Sequence, residues 1–200
     1  MSDDGAEGVI LRVRHALETA GVPYMLTGSF ASAFHGAPRT TQDVDVVIAP
    51  TLGSLNKLLK QFPEDAYYVS REAAMEAYAA ESLFNVIDLT SGWKIDFIVR
   101  KSRAFSVAEF ERRREAELLG TTLYIASAED VVLSKLEWAK MSESERQIDD
   151  VAGILRTQGD DLDQDYVEHW VSRLMLQSQW SQAKAAAGLT HTLRRTIREE

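Results

Sequence analysis

The chain of 200 residues contains no cysteine, which excludes disulfide bonds, thiolate metal sites and cysteine nucleophiles. No apolar run approaches the roughly 18 residues that a membrane-spanning helix needs. The N-terminus is acidic and lacks the apolar stretch that follows basic residues in a secretory signal. These absences fit a reducing compartment, and we expect a cytoplasmic protein with no membrane partner.

Basic residues are also in deficit, with 22 Lys and Arg against 31 Asp and Glu, so the formal net charge is −9. Domains that coat nucleic acid by bulk charge usually run basic, and the balance argues against that role. Two local basic runs, Arg112–Arg114 and Arg194–Arg195, are candidate patches, although solvated helix faces are the simpler interpretation.

Several catalytic signatures are missing as well. There is no Gly-x-Ser-x-Gly elbow and no Gly-x-x-x-x-Gly-Lys-Ser/Thr loop, which argues against a common hydrolase class and against P-loop NTPases. The histidines lack the spacing of zinc ligands. Trp138 and Trp170 sit among apolar neighbours and are predicted to be core residues, with base stacking as the alternative.

Hydrophobic periodicity changes character near Ser127: short β-like runs alternate with helical stretches before it, and everything after it reads as helical. Helices are predicted over residues 7–20, 30–35, 52–62, 73–80, 129–140, 144–156 and 164–176. Strands are predicted over residues 23–27, 44–48, 83–89, 93–99 and 121–126. The pattern predicts an α/β (α+β) fold, with an α/β core over residues 1–126 and a helical region over residues 127–200 packed on that core.

Two acids interrupt the strand that ends at Ile48. Because the side chains of a strand alternate between two faces, Asp43 and Asp45 point to one face while Val44 and Val46 point to the core. Like charges on one face repel unless a cation lies between them, and two such carboxylates suit a hard cation such as Mg²⁺. A solvated edge strand with two incidental acids is the alternative, because short motifs match by chance.

Two further features give this pair a context. Gly28 and Ser29 form a turn between a strand and a small-residue helix, where backbone N–H groups favour phosphate and Gly28 permits close approach. An ordinary N-cap is the alternative for Ser29. Asp96 lies on the opposite face of its strand from Ile95 and Phe97, and it completes a three-carboxylate site if its strand neighbours that of Asp43 and Asp45.

The arrangement Gly28-Ser29, then Asp43-x-Asp45, then the later strand acid Asp96 resembles the nucleotidyltransferase superfamily, which has the polymerase-β-like fold. Within it, the chain is most similar to the minimal bacterial group that includes the AbiEii-type toxin nucleotidyltransferases. Residues 129–136 resemble the helix of that group that carries a lysine, here Lys135. The match spans roughly residues 20 to 155, and the tail is not covered.

The segment Arg146-Gln147-Ile148-Asp149-Asp150-Val151 resembles the family's Arg/Lys-Asp-x-x-Asp-Leu segment. Gln147 stands where the first Asp often appears, so only Asp150 matches cleanly. Asp149 is adjacent, and it either substitutes for the missing acid or is solvated.

The resemblance implies a mechanism. Asp43, Asp45 and Asp96 would bind one or two Mg²⁺ ions that bridge the triphosphate of an NTP and lower the pKa of an acceptor hydroxyl. Asp96 would lie nearest the acceptor and assist its deprotonation.

The same resemblance assigns roles to the remaining candidates. Gly28 and Ser29 would cradle the β- and γ-phosphates, and Lys135 would bring a compact positive charge to the triphosphate. Asp150 would belong to the nucleotide-binding residues. For Arg39, two interpretations stay open: contact with phosphate or the acceptor, or an ion pair with Asp43 or Asp45.

The expected activity is therefore Mg²⁺-dependent transfer of a nucleoside monophosphate from an NTP to a hydroxyl of RNA, protein or a small molecule. A toxin role, with an antitoxin partner, follows from the group resemblance. A non-catalytic nucleotide- or partner-binding module on the same fold is the alternative, and an antibiotic nucleotidyltransferase is a third. An RNA acceptor would require a local basic patch such as Arg112–Arg114.

Overall fold

The computed structural model describes residues 5–189. Its strands are β1 (Tyr24–Leu26), β2 (Asp43–Ile48), β3 (Tyr67–Val69), β4 (Leu83–Asp88), β5 (Lys94–Val99), β6 (Arg114–Leu118) and β7 (Thr121–Ile125). Its α-helices are α1 (Ala6–Ala20), α2 (Gly28–Phe34), α3 (Leu52–Leu59), α4 (Arg71–Ala80), α5 (Ala104–Glu111), α6 (Ala128–Ser142), α7 (Glu145–Gln158), α8 (Gln164–Arg173) and α9 (Gln177–Ala186). Within residues 5–189, no helix is long and apolar enough to cross a membrane.

One mixed sheet organises the chain, with its strands in the order β3-β4-β5-β2-β1-β7-β6. Strand β2 runs parallel to β5 and antiparallel to β1, and β1 runs parallel to β7. The pairs β3–β4, β4–β5 and β6–β7 are also antiparallel. The predicted α/β (α+β) class, a small mixed sheet flanked by helices, is confirmed.

The sequence explains where several of these elements end. Helix α1 stops at Gly21, whose φ of +66° lies in the left-handed region that favours glycine. Helix α6 starts at Ser127, whose Oγ accepts the N–H of Asp130 at 3.2 Å. The Ser127 hydroxyl in turn donates to Asp130 Oδ2 at 2.6 Å, so both side chains take part in the start of the helix.

The apolar core is shared between the sheet and the C-terminal helices. Strand residues such as Val44, Ile95 and Phe97 belong to the same buried cluster as Leu136 on α6 and Ile154 on α7. Helix α2 contacts β2 as well as α6 and α7, which fixes the C-terminal helices beside the centre of the sheet. The division between residues 126 and 127 stays a prediction.

Four elements were not predicted: β3, β6, α5 and α9. The run Arg112–Arg114 is not a solvated helix face, because it leads from the end of α5 into the first residue of β6. The prediction that Trp170 is a core residue is confirmed, whereas that for Trp138 is wrong, since Trp138 is 48% exposed. The pair Arg194–Arg195 lies outside the described residues.

Candidate active site

The turn at Gly28 is built directly against Asp45. Gly28 has φ +63°, and a Cβ atom placed on it would overlap the Asp45 carboxylate. The Thr27 N–H donates to the Asp45 backbone oxygen at 2.9 Å, and the Ser29 N–H donates to the Asp45 carboxylate. The turn therefore holds Asp45 in place, and α2 begins at Gly28 rather than at the predicted Phe30.

The three acids lie on one face at the centre of the sheet. The parallel register sets Asp45 opposite Asp96, so β2 and β5 are adjacent strands, as expected. Val44, Val46 and the apolar residues of β5 are buried on the other face. Burial raises the pKa of Asp45, and the charges of Asp96 and Asp43 raise it further.

Lys94 enters this group of acids, and its role was not predicted. It stands opposite Asp43 in the register, and its Nζ lies 2.8 Å from Asp96 Oδ2 and 3.5 Å from Asp43 Oδ1. The hydrogen bond to Asp96 raises the pKa of Lys94. Asp96 Oδ1, by contrast, is buried without a hydrogen-bond partner. An ammonium group thus occupies part of the space between two of the carboxylates.

The donor set suits a divalent cation, although it is not arranged around one. Within residues 5–189, no three His, Asp or Glu side chains form a group that could hold a metal ion as they stand. Asp43, Asp45 and Asp96 nevertheless offer the hard carboxylate oxygens that Mg²⁺ prefers. The unpartnered Asp96 oxygen and the raised pKa of Asp45 both indicate that the cluster has more negative charge than its protein partners satisfy.

A buried ionic network closes the opposite side of the site. Lys135 is 4% exposed, and its Nζ donates to Asp150 Oδ2 at 2.6 Å and to Gln147 Oε1 at 3.1 Å. Arg39 Nε donates to the same Asp150 oxygen at 3.2 Å. The partner of Arg39 is therefore Asp150, not Asp43 or Asp45. Burial lowers the pKa of Lys135, and its hydrogen bond to Asp150 opposes that shift.

These groups line one cleft of about 270 Å³. All of the predicted site residues except Asp150 reach its surface: Gly28, Ser29, Arg39, Asp43, Asp45, Asp96 and Lys135. Asp150 stands behind the cleft, where it binds Lys135 and Arg39. Its neighbour Asp149 is exposed, in keeping with a solvated side chain.

The sequence analysis did not assign several residues of the cleft to the site. Local patterns in the sequence could have identified some of them. Lys94 lies two residues before Asp96, so strand alternation places both side chains on one face. Gln147 was treated as a departure from the family pattern, yet it accepts a hydrogen bond from Lys135. Trp138, for which base stacking was the alternative to a core role, lines the cleft from α6.

A second cavity, of about 410 Å³, adjoins the cleft. Five residues line both spaces: Thr27, Leu83, Ile98, Ser134 and Trp138. Glu109 on α5 lines the second cavity and accepts a hydrogen bond from Ser134 Oγ at 3.0 Å. Burial raises the pKa of Glu109 to about 7.

Most of the candidate basic patch, Arg112–Arg114, is engaged in contacts within the protein. Arg112 forms ion pairs with Glu129 at 3.1 Å and Asp130 at 3.2 Å. Arg113 lies over the Phe110 ring, 4.2 Å from its centroid, and donates to the Phe110 backbone oxygen. Two of the three arginines therefore do not form an open cationic surface.

The strand order, the acids on β2 and β5, and the turn at Gly28 together describe the fold of the nucleotidyltransferases. Comparison with solved structures bears this out. The chain is similar to ANT(2")-Ia, solved in complex with adenylyl-2"-tobramycin, at 15% identity and a TM-score of 0.57, over 87% of this chain and 98% of that one. It is also similar to an antigenic nucleotidyltransferase-like protein from Paracoccidioides brasiliensis, at 16% identity and a TM-score of 0.54, over 92% of this chain and 94% of that one.

These likenesses establish the fold that the motifs predicted. No protein-family model matches the sequence, and no curated protein matches it. The narrower resemblance to the AbiEii-type group stays a prediction.

Proposed function

We propose that the chain is a Mg²⁺-dependent nucleotidyltransferase that moves a nucleoside monophosphate from an NTP to a hydroxyl acceptor. The observation that carries the proposal is the parallel pairing of β2 with β5, which sets Asp45 opposite Asp96 on the wall of a cleft. The close approach of Gly28 to Asp45 supports it, because it places a backbone turn beside the acids. A bound Mg²⁺ would neutralise phosphate charge and lower the pKa of the acceptor hydroxyl.

The residues of the chain have distinct tasks in this proposal. Gly28 and Ser29 lie against the β- and γ-phosphates, and Lys135 places its charge beside the triphosphate. Arg39 and Asp150 hold Lys135 in position through the shared carboxylate. The acceptor oxygen attacks the α-phosphorus, its proton passes to Asp96, and the bond to the bridging oxygen breaks as pyrophosphate leaves.

The test is transfer of label from each α-³²P-labelled NTP, with Mg²⁺, to tobramycin, to total RNA and to protein. The tobramycin arm follows from the complex in which ANT(2")-Ia was solved. The RNA and protein arms examine a toxin role, for which co-expression with the neighbouring gene would reveal an antitoxin. We expect labelled product and pyrophosphate in one arm, and EDTA should abolish both. NTP binding without transfer in any arm would contradict catalysis.

A non-catalytic nucleotide-binding module is the second candidate. The observation that favours it is Lys94, whose ammonium group lies between Asp43 and Asp96 where a metal ion would bind. A module of this kind would bind NTP equally well with and without Mg²⁺, whereas the enzyme requires the ion.

Replacing Lys94 by methionine is expected to tighten Mg²⁺ binding by up to about fivefold, because ion pairs that are partly exposed are worth about 0.2–1 kcal/mol. The methionine keeps the apolar stem but no longer competes for the carboxylate oxygens. Calorimetric titration with Mg²⁺ alone measures the effect, and Lys57→Met, at an exposed position on α3, is the control. Weaker Mg²⁺ binding in K94M would instead mean that Lys94 holds the acids in their binding arrangement.

A further inference from the structure

The cavity beside the cleft, here called the side cavity, is placed to hold whatever receives the nucleotide. It has a volume of about 410 Å³ and shares the walls formed by Thr27, Ile98 and Ser134 with the cleft of the acids. A molecule bound in the side cavity therefore reaches the edge of the cleft. Sites of this size bury most of the surface of a small ligand.

The side cavity combines an apolar wall with one buried acid. Trp138, Leu83 and Ile98 supply the apolar surface, and Trp138 is half exposed. Glu109 is 7% exposed, and among residues 5–189 it forms no ion pair. Its neighbour Arg103 is already bound by Glu137 through both guanidinium nitrogens, so that positive charge is engaged elsewhere.

Glu109 accepts a hydrogen bond from Ser134 Oγ, but a buried carboxyl group is ionised without a large cost only where a cation lies beside it. Burial raises the pKa of Glu109 to about 7 and so disfavours its ionised form. Asp130 and Glu137 act in the same direction, while Arg103 and the Ser134 hydroxyl oppose them. An ammonium group beside Glu109 would restore the ionised form. Lys101 also lines the side cavity, but it is exposed, so water screens its charge more strongly.

The described surface offers less to RNA. Arg112 is bound to Glu129 and Asp130, and Arg113 is stacked on Phe110, so this run does not supply the phosphate contacts that an RNA acceptor needs. The side cavity is lined by three acids and three basic residues, so its walls do not form a cationic surface: Glu81, Glu109, Glu137, Arg100, Lys101 and Arg103.

We propose that the side cavity binds the acceptor of the transfer, and that this acceptor is a small amino alcohol. Its apolar body lies against Trp138, its ammonium group is held by Glu109, and its hydroxyl group points into the cleft of the acids. This inference rests on the proposed function for the transfer itself.

The first experiment measures binding without any NTP. Calorimetry or ligand-observed NMR at pH 7 compares trans-2-aminocyclohexanol, which is protonated there, with the neutral trans-1,2-cyclohexanediol. Glu109→Gln is expected to weaken binding of the amine about tenfold or more, because hydrogen bonds to charged groups are the stronger kind, and to leave the diol unchanged. Glu111→Gln, exposed on the same helix, should change neither. Trp138→Ala, at a half-exposed position, should weaken both probes.

The second experiment adds labelled NTP and Mg²⁺. We expect label on trans-2-aminocyclohexanol. E109Q should raise the KM for this amine by the same factor as its dissociation constant. Equal binding of the amine to E109Q and to the unmodified protein would overturn the inference. Transfer to RNA without Glu109-dependent binding of the amine would also overturn it and leave the proposed function standing. Glu109-dependent binding without transfer from any NTP would overturn the acceptor role and the proposed function together.

Discussion

Asparagine at position 45 is expected to abolish nucleotidyl transfer while making the folded protein more stable at pH 7. The expected loss of activity is about 10²- to 10³-fold, the range seen when one group that stabilises transition-state charge is removed. The gain in stability has a separate cause. Burial and the charges of Asp96 and Asp43 raise the pKa of Asp45, so the ionised carboxylate opposes folding.

The pH dependence gives this prediction its sign. Because the pKa of Asp45 is higher in the folded protein than in the unfolded chain, its protonated form favours folding. Below the ordinary carboxyl pKa both states are protonated, and D45N should match the unmodified protein in stability. As the pH rises through the raised pKa, the unmodified protein loses stability and D45N does not. Urea unfolding at several pH values measures the difference.

Asp149→Asn is the matched control, since Asp149 is an exposed acid on α7. It should change neither the transfer rate nor the free energy of unfolding. Full activity in D45N would remove Asp45 from the reaction. A loss of activity together with a loss of stability would show that Asp45 acts by holding the Gly28 turn rather than by binding a cation.

Strand alternation predicted the direction of the acids because it is a local property of the backbone. Asp43 and Asp45 face away from the buried Val44 and Val46 as expected. The pairing of β2 with β5 is not local, since it joins segments about 50 residues apart, and only the family resemblance indicated it. This pairing decides whether Asp96 belongs to the site. The contact that matters most for the site was therefore the one that local sequence patterns could not predict.

The missed elements have weak local patterns. Half of the buried residues of α5 are polar, namely Ser106 and Glu109. Helix α9 buries only Trp180 and Ala183. The edge strands β3 and β6 contain no fully buried residue. These segments are fixed by packing against the rest of the chain, which periodicity does not report.

The network behind the cleft shows the same limit. Lys135 was predicted from its helix, and Asp150 from a short segment, but no local pattern joins them. In the structure they form an ion pair at 2.6 Å, with Arg39 on the same carboxylate oxygen. Substitutions of Lys135 and Asp150, alone and together, can therefore separate a structural role of the pair from a chemical one.

Lys135→Met is expected to reduce both stability and activity. It leaves Asp150 buried with Arg39 as its remaining cation, and breaking a buried ion pair costs about 3–5 kcal/mol in free energy of unfolding. The double variant K135M/D150N removes both charges, so it should recover much of the lost stability. Chemical unfolding of the single and double variants in a double-mutant cycle measures the coupling between the two side chains.

Activity separates the two roles. If Lys135 places its charge beside the triphosphate, the double variant regains stability but keeps the low activity and the raised KM for NTP of K135M. D150N alone keeps the ammonium group, with Gln147 as its acceptor, and should retain more activity than K135M. Recovery of activity in K135M/D150N along with stability would show that the pair only supports the fold, and that the charge on the triphosphate comes from elsewhere.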